Sequence, residues 1–337
     1  MQMPDPLLRA LDVTPRHAYP FLWADYVELL CLCSRNGWVS RGNMQAQTQE
    51  AQDLQVDEEG NEPDDAAQLD TDQAANPLPM ELDDKVSARW ADIRTRLQAR
   101  EVSWAGWPFR LEGSMLHSRF DAADPEHRLY VALLIASSLR LCHNTRSGEV
   151  TNAFEEISYH WLRLSLNNLW EVRPFGAHQT LPMCYPGTLR IKLEALAVDL
   201  KATLMKQASD YDPQDTGDGG IDLVAWMRMG DRRGNWPVIF GQCACSPTDW
   251  ESKQLSVTGP AVGAHLIPQT DGAAYCFVPH DLHASDTDWQ RASHVARTVL
   301  VDRSRILHLF RDTQAWGDLP HWSFVDEPAA LRAAMAA

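Results

Sequence analysis

The sequence lacks any apolar run long enough to cross a membrane. The longest such run is the seven residues Tyr130–Ala136, whereas a membrane-spanning helix needs about 20 apolar residues. The first residues, Met1–Pro6, also lack the basic and then apolar pattern of a secretory signal. We therefore expect a soluble, cytoplasmic protein that does not bind membranes.

Cysteine pairs of the kind that bind structural zinc are also missing. The seven cysteines are an odd number, and the two close pairs, Cys31/Cys33 and Cys243/Cys245, have C-x-C spacing instead of C-x-x-C. No second pair with histidines at zinc-finger spacing accompanies them. The pattern predicts reduced, mostly buried thiols in a cytoplasmic protein, and no structural zinc.

Basic residues are absent from one long stretch, Ala46–Asp84, which contains 13 acidic residues. The whole chain has 46 acidic and 30 basic residues and a net charge of −16, so the remainder carries only −3. A polar, acidic segment without aromatics cannot offset the entropy cost of ordering, which predicts a disordered linker over 46–84. The alternative is a segment that mimics nucleic-acid charge and shields a basic cleft. In either case, the net charge does not exclude a nucleic-acid partner.

The length of 337 residues exceeds what one hydrophobic core usually serves, so we expect more than one region. Tyr26, Leu29 and Leu30 share a helical face, Asn36-Gly37 breaks that helix, and Val39–Gly42 could start another. This helix–turn–helix order weakly resembles a winged helix, and two packed helices without nucleic-acid contacts are the alternative. The predicted regions are a helical segment at 1–45, the linker at 46–84, a helical region at 85–148, a catalytic-type domain at 149–320 and a tail at 321–337.

Within residues 149–320, helices come first and strands follow. The spacing of apolar residues predicts helices over Val150–Leu169 and Leu189–Gln207. β-branched and aromatic runs bounded by Gly, Pro and Asp then predict four strands, within Ile221–Trp226, Pro237–Ala244, Ala274–Val278 and Arg305–Phe310. Helices are expected between them, one after Thr248 and one over Asp288–Val299. The fold class is therefore α/β, a mixed sheet flanked by helices, behind a mainly helical N-terminal region.

The stretch with the clearest chemical meaning is Gly217-Asp218-Gly219-Gly220-Ile221-Asp222. A glycine-rich turn delivers Asp222 onto a strand, and a hairpin loop leads to a second strand that carries Gln242. If the hairpin pairs, Asp222 and Gln242 share one face and could hold a hard divalent ion, Mg²⁺ or Mn²⁺. The alternatives are that Asp222 caps the glycine turn, a role that Asp218 could equally fill, and that Gln242 satisfies backbone groups.

These residues resemble the PD-(D/E)xK nuclease superfamily, most closely its Mrr-type restriction-endonuclease branch, over roughly residues 149–315. That branch has D-G-G-x-D on one strand and Q-x-K on the next, after a helix that carries a glutamate. The resemblance implies a restriction-endonuclease-like fold in which Asp222 and Gln242 bind the metal. It also implies that Glu155 or Glu156 is the helical glutamate of the catalytic set, and that this glutamate, taken as Glu155, is the third metal ligand.

The chain departs from that pattern at Ala244, which stands where the lysine of Q-x-K is expected. Thr248–Glu251 has the S/T-x-x-E form of a capping box, which predicts a helix that starts at Thr248 and carries Lys253 in its second turn. Lys253 is the candidate replacement, positioning the attacking water or stabilising the transition state. The alternative is an ordinary solvated lysine. A weaker hypothesis pairs Cys243, as a nucleophile, with His265 or His280.

We accordingly expect a metal-dependent endonuclease that hydrolyses DNA, with RNA not excluded. The resemblance implies a role in restriction or anti-phage defence. The alternative is a catalytically degenerate nuclease fold that serves as a nucleic-acid-binding or assembly subunit, which Ala244 favours. Because no recognition domain is visible in the sequence, we also expect a protein partner or a homo-oligomer that controls the activity.

Overall fold

The computed structural model describes residues 6–9, 11, 14–15, 19–44, 46, 79–176, 181, 184–231, 233–284, 288–290 and 292–336. Most of the predicted acidic linker therefore lies outside the described residues. Its last six residues, 79–84, belong to a helix, Pro79–Ser103, and not to a linker. Proline and acidic residues both favour the first turn of a helix, which explains why the helix begins inside the acidic stretch. Within the described residues, no helix combines the length and apolar character needed to cross a membrane.

The chain divides into two compact units whose limits differ from the predicted domains. Unit 1 comprises Met1–His127, Arg140–His143 and Asp326–Ala337, and unit 2 comprises Arg128–Leu139 and Asn144–Val325. The expected helical region at 85–148 is thus shared between the units. The expected tail at 321–337 contains a helix, Glu327–Ala336, which belongs to unit 1.

Unit 1 combines helices with a small sheet. Its helices include α1 (Pro20–Cys33) and α2 (Pro79–Ser103), and its antiparallel sheet has the order β1–β3–β2. The strands are β1 (Trp38–Ser40), β2 (Phe109–Glu112) and β3 (Met115–Ser118). Residues 41–44 are helical, as expected, but β1 separates them from α1 and pairs with β3. The likeness to a winged helix stays a prediction.

Helix α1 is buried on all sides, including its acidic residues Asp25 and Glu28. The guanidinium of Arg100 pairs with both carboxylates, at 2.7 Å to Asp25 and 2.8 Å to Glu28. Trp107 Nε1 donates a further hydrogen bond to Glu28 at 3.0 Å. Because buried charges require such partners, this network allows a polar helix face to lie in the core of unit 1.

Unit 2 is built on a mixed five-stranded sheet with the order β10–β9–β7–β6–β4. The strands are β4 (Trp170–Pro174), β6 (Leu223–Met227), β7 (Val238–Cys243), β9 (Ala273–Phe277) and β10 (Val299–Val301). Strands β7, β9 and β10 are parallel, whereas β4, β6 and β7 pair antiparallel. A second, two-stranded sheet pairs β5 (Thr203–Leu204) with β8 (Leu266–Ile267), and the short helix α7 (Gly259–Gly263) lies directly before β8. The expected α/β class is confirmed at this level.

Helices cover both faces of the five-stranded sheet. The chain enters unit 2 with α3 (Pro125–Ala136), and α4 (Ser147–Ser165) follows. Helix α4 packs on one face of the sheet, where the ring of Trp161 makes an edge contact with the ring of Phe277. On the other face, α5 (Leu189–Leu200) packs with residues of β6 and β7 in one apolar cluster. Side chains alternate along each strand, so Val238, Phe240 and Gln242 point to the α5 face and Cys243 points to the α4 face. The end of β7 thus places groups on both faces.

Three sequence-based predictions in unit 2 are wrong. The predicted strand Arg305–Phe310 is part of helix α8 (Arg303–Thr313), because Asp302 caps the helix by accepting from the Arg305 N–H at 3.1 Å. Among the described residues of the predicted helix Asp288–Val299, only Ala292–His294 make a helical turn, and Val299 begins β10. The predicted helix Leu189–Gln207 ends at Leu200, where Lys201 adopts a left-handed conformation with a φ of 55°.

Candidate functional site

Asp222 lies directly before β6, where backbone hydrogen bonds hold it between two neighbouring strands. Its N–H donates to Gly241 O at 2.9 Å, and its carbonyl accepts from the Phe175 N–H at 2.7 Å. The preceding Gly219 and Gly220 have positive φ angles, and a Cβ on Gly220 would lie 2.8 Å from the Cβ of Ser256. Glycine is therefore required there, both for the backbone conformation and for the close approach.

The alternative that Asp222 merely caps this turn is not supported by the contacts. Asp218 fills that role, because its Oδ1 accepts from the Gly220 N–H at 2.7 Å. The side chain of Asp222 instead points into unit 2, with only 4% of the residue exposed.

Gln242 and Asp222 lie together across the β6–β7 hairpin, as the sequence predicts. Gln242 Nε2 donates to Asp222 Oδ2 at 2.6 Å, and the Cys243 N–H donates to the same oxygen at 2.6 Å. The amide oxygen of Gln242 lies 3.1 Å from Ser256 Oγ, whose one proton also has Lys253 O as an acceptor at 2.7 Å. The amide nitrogen of Gln242 faces Asp222, so Gln242 orients the carboxylate. Its predicted role as a metal ligand stays a prediction.

Glu155 approaches Asp222 from helix α4. A Cβ on Gly176 would lie 3.1 Å from Asp222 Oδ1 and 3.2 Å from Glu155 Oε2. Asp222 Oδ1 and Glu155 Oε2 therefore lie close to one point above Gly176. Their separation is no greater than the sum of these two distances. Gly176 leaves this point open, since any other residue would fill it with a side chain.

The two carboxylates perturb each other because they are buried. Burial raises the pKa of Glu155 to about 7, the nearby charge of Asp218 adds to that rise, and Lys192 opposes it. Burial also raises the pKa of Asp222 well above its ordinary value, as do the charges of Glu155 and Asp218, whereas the Cys243 N–H and Lys253 lower it. Three carboxylates are thus in electrostatic range at this edge of the sheet, with Lys192 acting on Glu155 and Lys253 acting on Asp222.

Glu156, the other candidate for the helical glutamate, faces away from these groups. Its Oε2 accepts a hydrogen bond from Trp322 Nε1 at 3.0 Å. The choice that the sequence left open therefore falls on Glu155, and Glu156 is not part of the carboxylate cluster. Glu155 lies in the middle of α4, which runs over Ser147–Ser165 where the sequence predicted Val150–Leu169.

Lys253 lies on the short helix α6 (Trp250–Lys253) that follows β7, and its side chain is exposed. Its charge lowers the pKa of Asp222, so its ammonium lies within electrostatic range of that carboxylate. The N-terminal cap of the helix is Asp249, and no side chain caps it, so the predicted capping box at Thr248 is not formed. Ser256 Oγ donates to Lys253 O at 2.7 Å and also contacts Gln242, which connects the two candidates.

Lys192 is a site residue that sequence reasoning missed. It lies on α5 and is 1% exposed, and its ammonium donates to Gly176 O at 3.4 Å, Thr216 O at 3.0 Å and Gly217 O at 3.1 Å. It thereby joins the segment of Gly176 to the segment that precedes Asp218. The available signal was its spacing, since a lysine among Leu189, Leu193 and Leu196 lies on the apolar side of that helix.

The hypothesis of a nucleophilic Cys243 is not supported by the electrostatics. Burial raises the pKa of the Cys243 thiol well above its ordinary value, and the charges of Asp222 and Glu155 raise it further. A reactive cysteine needs the opposite environment, because only the thiolate attacks. His265 stacks on Tyr211 with ring centroids 6.3 Å apart, and His280 is fully buried.

The described donor set suits a hard divalent cation. Asp222 Oδ1 and Glu155 Oε2 are carboxylate oxygens that converge on one point, and oxygen is the donor that Mg²⁺ and Mn²⁺ prefer. A cation between them would relieve the repulsion of two like charges in a poorly solvated site. Comparison with protein-family models, with curated proteins and with solved structures gives no match for this chain.

Proposed function

We propose that unit 2 is a metal-dependent endonuclease domain that hydrolyses the phosphodiester bonds of DNA. The observation that carries this proposal is the meeting of Glu155, from a helix, and Asp222, from a strand, above the open face of Gly176. The resemblance of the surrounding motif to PD-(D/E)xK nucleases supports the choice of reaction. Its restriction-endonuclease-like fold and a role in anti-phage defence are parts of the same proposal.

In the proposed site, some residues around the carboxylates orient Asp222 and others bind the ion. The Gln242 amide and the Cys243 N–H hold Asp222 Oδ2, which leaves Oδ1 directed toward Glu155. Glu155 and Asp222 would then hold Mg²⁺ or Mn²⁺. When bound, such an ion polarises the scissile phosphate and lowers the pKa of its water.

The formal charge of the site favours an anionic substrate once the ion is bound. With Glu155, Asp218 and Asp222 all ionised, as a bound ion favours, their three negative charges face the two positive charges of Lys192 and Lys253, which leaves −1. A divalent cation changes that sum to +1, so the metal-bound site attracts a phosphodiester.

Lys253 is the side chain that can reach the substrate. Lys192 is buried and its ammonium is bound to three carbonyl groups, whereas Lys253 is exposed. Ala244, at the position of the family lysine, is buried and has no charge to offer. We assign to Lys253 the positioning of the attacking water or the stabilisation of charge on the phosphate in the transition state.

A cleavage assay tests the proposal. The purified full chain is incubated with Mg²⁺ or Mn²⁺ and with supercoiled plasmid, linear duplex, single-stranded DNA or RNA. We expect cleavage of DNA by the wild type, loss of cleavage in Glu155→Gln and Asp222→Asn, and a strong reduction in Lys253→Ala. Glu156→Gln is the matched control, because this neighbouring glutamate contacts Trp322 instead of the site, and it should cut like the wild type.

Two outcomes would contradict the proposal. One is the absence of cleavage of every substrate, with or without added cell extract as a source of protein partners. The other is unchanged cleavage in Asp222→Asn, which would locate the activity elsewhere.

A second candidate function is DNA binding without cleavage, in an assembly subunit. The buried Ala244 and the low exposure of Asp222 favour it. A mobility-shift experiment in Ca²⁺ separates the two, since a binding subunit retards DNA and leaves it intact when Mg²⁺ is added. Control by a partner or by self-association would appear as cleavage that rises more steeply than the protein concentration.

A further inference from the structure

A second group of metal-ligating side chains lies where strands β9 and β10 end. Asp281 and His283 follow β9, and Asp302 follows β10. The two strands are parallel neighbours, with Val301 opposite Phe277, so both loops leave the sheet at the same edge. Ligand sites of α/β proteins lie characteristically at the carboxyl ends of parallel strands. Strand β7 ends at this edge too, since Cys243 is opposite Phe277.

The three side chains converge closely enough to share one ion. One ligand atom from each of Asp281, His283 and Asp302 lies within 4.8 Å of the others. Asp281 and Asp302 are 0% and 1% exposed, whereas the side chain of His283 is 17% exposed. The cluster therefore combines two buried carboxylates with a partly exposed imidazole.

Backbone contacts fix the two loops against each other. The Arg303 N–H donates to His280 O at 3.0 Å, and the Leu282 N–H donates to Asp302 Oδ2 at 3.2 Å. On the other side of His283, the Ala284 N–H donates to Asp288 O at 2.7 Å, and the Gln290 N–H donates to Leu282 O at 2.7 Å. The ligand atoms are thus held by the frame of the fold, which is the condition for a preformed metal site.

The chemistry of this set differs from that of the Glu155/Asp222 site. Carboxylates brought together in a buried place repel each other, and the charge of Asp281 together with burial raises the pKa of Asp302. An imidazole is a donor that Mg²⁺ seldom takes and that Zn²⁺ takes readily. A tetrahedral Zn²⁺ ion takes four ligands, so a site with three protein ligands leaves the fourth position to a water molecule.

We propose that Asp281, His283 and Asp302 bind a divalent transition-metal ion, with Zn²⁺ as the best match. This site is independent of the proposed nuclease function, because it shares no ligand with Glu155 or Asp222. The competing explanation is purely structural. His283 contacts Asp281 directly, and Asp302 caps helix α8, so the same groups could serve as an ion pair and a helix cap.

Zn²⁺ binding by the full chain distinguishes the two explanations. The protein is stripped with a chelator, kept reduced, and titrated with Zn²⁺ by calorimetry in the Glu155→Gln/Asp222→Asn background. We expect one ion per chain at this site. His283→Gln and Asp302→Ser should each lower the affinity for Zn²⁺ by at least about tenfold. Removing a group that only orients a metal ligand already costs that much. Serine at 302 still caps the helix, so this variant removes the ligand and keeps the cap.

Two controls separate this site from others on the chain. His308→Gln changes an exposed histidine on the same helix α8, and it should bind Zn²⁺ like the parent protein. Replacing Zn²⁺ with Co²⁺ should give visible d–d absorption without a thiolate charge-transfer band, because none of the three ligands is a cysteine.

The proposal is overturned if the stripped protein binds no Zn²⁺, or if His283→Gln and Asp302→Ser bind it with the affinity of the parent. A cobalt spectrum dominated by thiolate charge transfer would also overturn it. If one variant fails to fold, as judged by circular dichroism, the other variant and the cobalt spectrum of the parent decide.

Discussion

The side-chain amide of Gln242 fixes the carboxylate of Asp222, with Nε2 2.6 Å from Oδ2. The donor is neutral and the acceptor is buried, so the hydrogen bond stabilises the ionised form of Asp222 without adding a charge. An acid at position 242 would reverse this effect. The glutamine is therefore suited to the proposed site, in which the second charged ligand, Glu155, would come from a helix and not from β7.

Gln242→Glu should destabilise the protein when no metal is present. The new carboxylate would face Asp222 Oδ2 in a buried place and would leave that oxygen with only the Cys243 N–H as donor. We expect the free energy of unfolding to fall by about 1–3 kcal/mol at neutral pH. Urea denaturation measures this change, and millimolar Mn²⁺ should restore part of the loss if the site binds metal. Equal stability of variant and wild type in chelator would contradict the assigned role of Gln242.

Stability should fall as the pH rises from about 4.5 to about 7. The pKa of Glu155 is raised from 4.5 to about 7 in the folded protein, so the folded state holds a proton that the unfolded state has lost over this range. Each unit of pKa shift corresponds to about 1.4 kcal/mol. Glu155→Gln cannot ionise and should have a flatter dependence of unfolding free energy on pH than the wild type. Urea denaturation at several pH values measures the unfolding free energy of both proteins. If the two plots of this free energy against pH are parallel, the pKa of Glu155 is not raised.

Gly176→Ala should abolish metal binding and cleavage while leaving the fold intact. Its methyl group would lie 3.1 Å from Asp222 Oδ1 and 3.2 Å from Glu155 Oε2, in the space that a shared ion would occupy. Gly148→Ala is the matched control, because it adds a Cβ with no heavy atom within 4 Å. Mn²⁺ affinity, measured by electron paramagnetic resonance, should drop only in the first variant. Equal affinities in both would place the ion elsewhere.

Lys192→Met should both weaken the fold and raise the pKa of Glu155. Removing the ammonium leaves the carbonyls of Gly176, Thr216 and Gly217 without this donor and takes a positive charge away from Glu155. A loss of about 1–3 kcal/mol is expected, together with a shift to higher pH of the midpoint for Mn²⁺ binding. Lys206→Met, at an exposed position, should change neither quantity. A stability loss without the pH shift would limit Lys192 to a structural role.

The part of the site that is local in sequence could be predicted, and the part that depends on distant contacts could not. A glycine turn and the alternation of strand residues were enough to place Asp222 beside Gln242. The choice between Glu155 and Glu156 depends on the rotation of α4 about its own axis, which Trp322 reveals only in three dimensions. Gly176 and Lys192 act through neighbours far along the chain. The spacing of Lys192 among leucines places it on the apolar side of α5, but it does not identify those neighbours.

The errors in the fold have a similar origin. The apolar residues of Arg305–Phe310 suit a strand or a helix equally, and the capping contact of Asp302 decides for the helix. Once Leu300 and Val301 form β10 instead, Asp302 is brought beside the loop that follows β9. The cluster of Asp281, His283 and Asp302 was therefore hidden from sequence reasoning, because it exists only through the parallel pairing of β9 and β10.

Cys243 offers an internal reporter of motion in the sheet. Burial raises the pKa of its thiol well above the ordinary value, although the residue keeps part of its surface exposed at the end of β7, next to Gln242. Only the thiolate reacts with an alkylating reagent, so labelling is slow in this environment and becomes faster when the strand end opens. The labelling rate, followed by peptide mass spectrometry, therefore follows the opening of this end of the sheet, and a bound divalent ion at Glu155 and Asp222 should slow it.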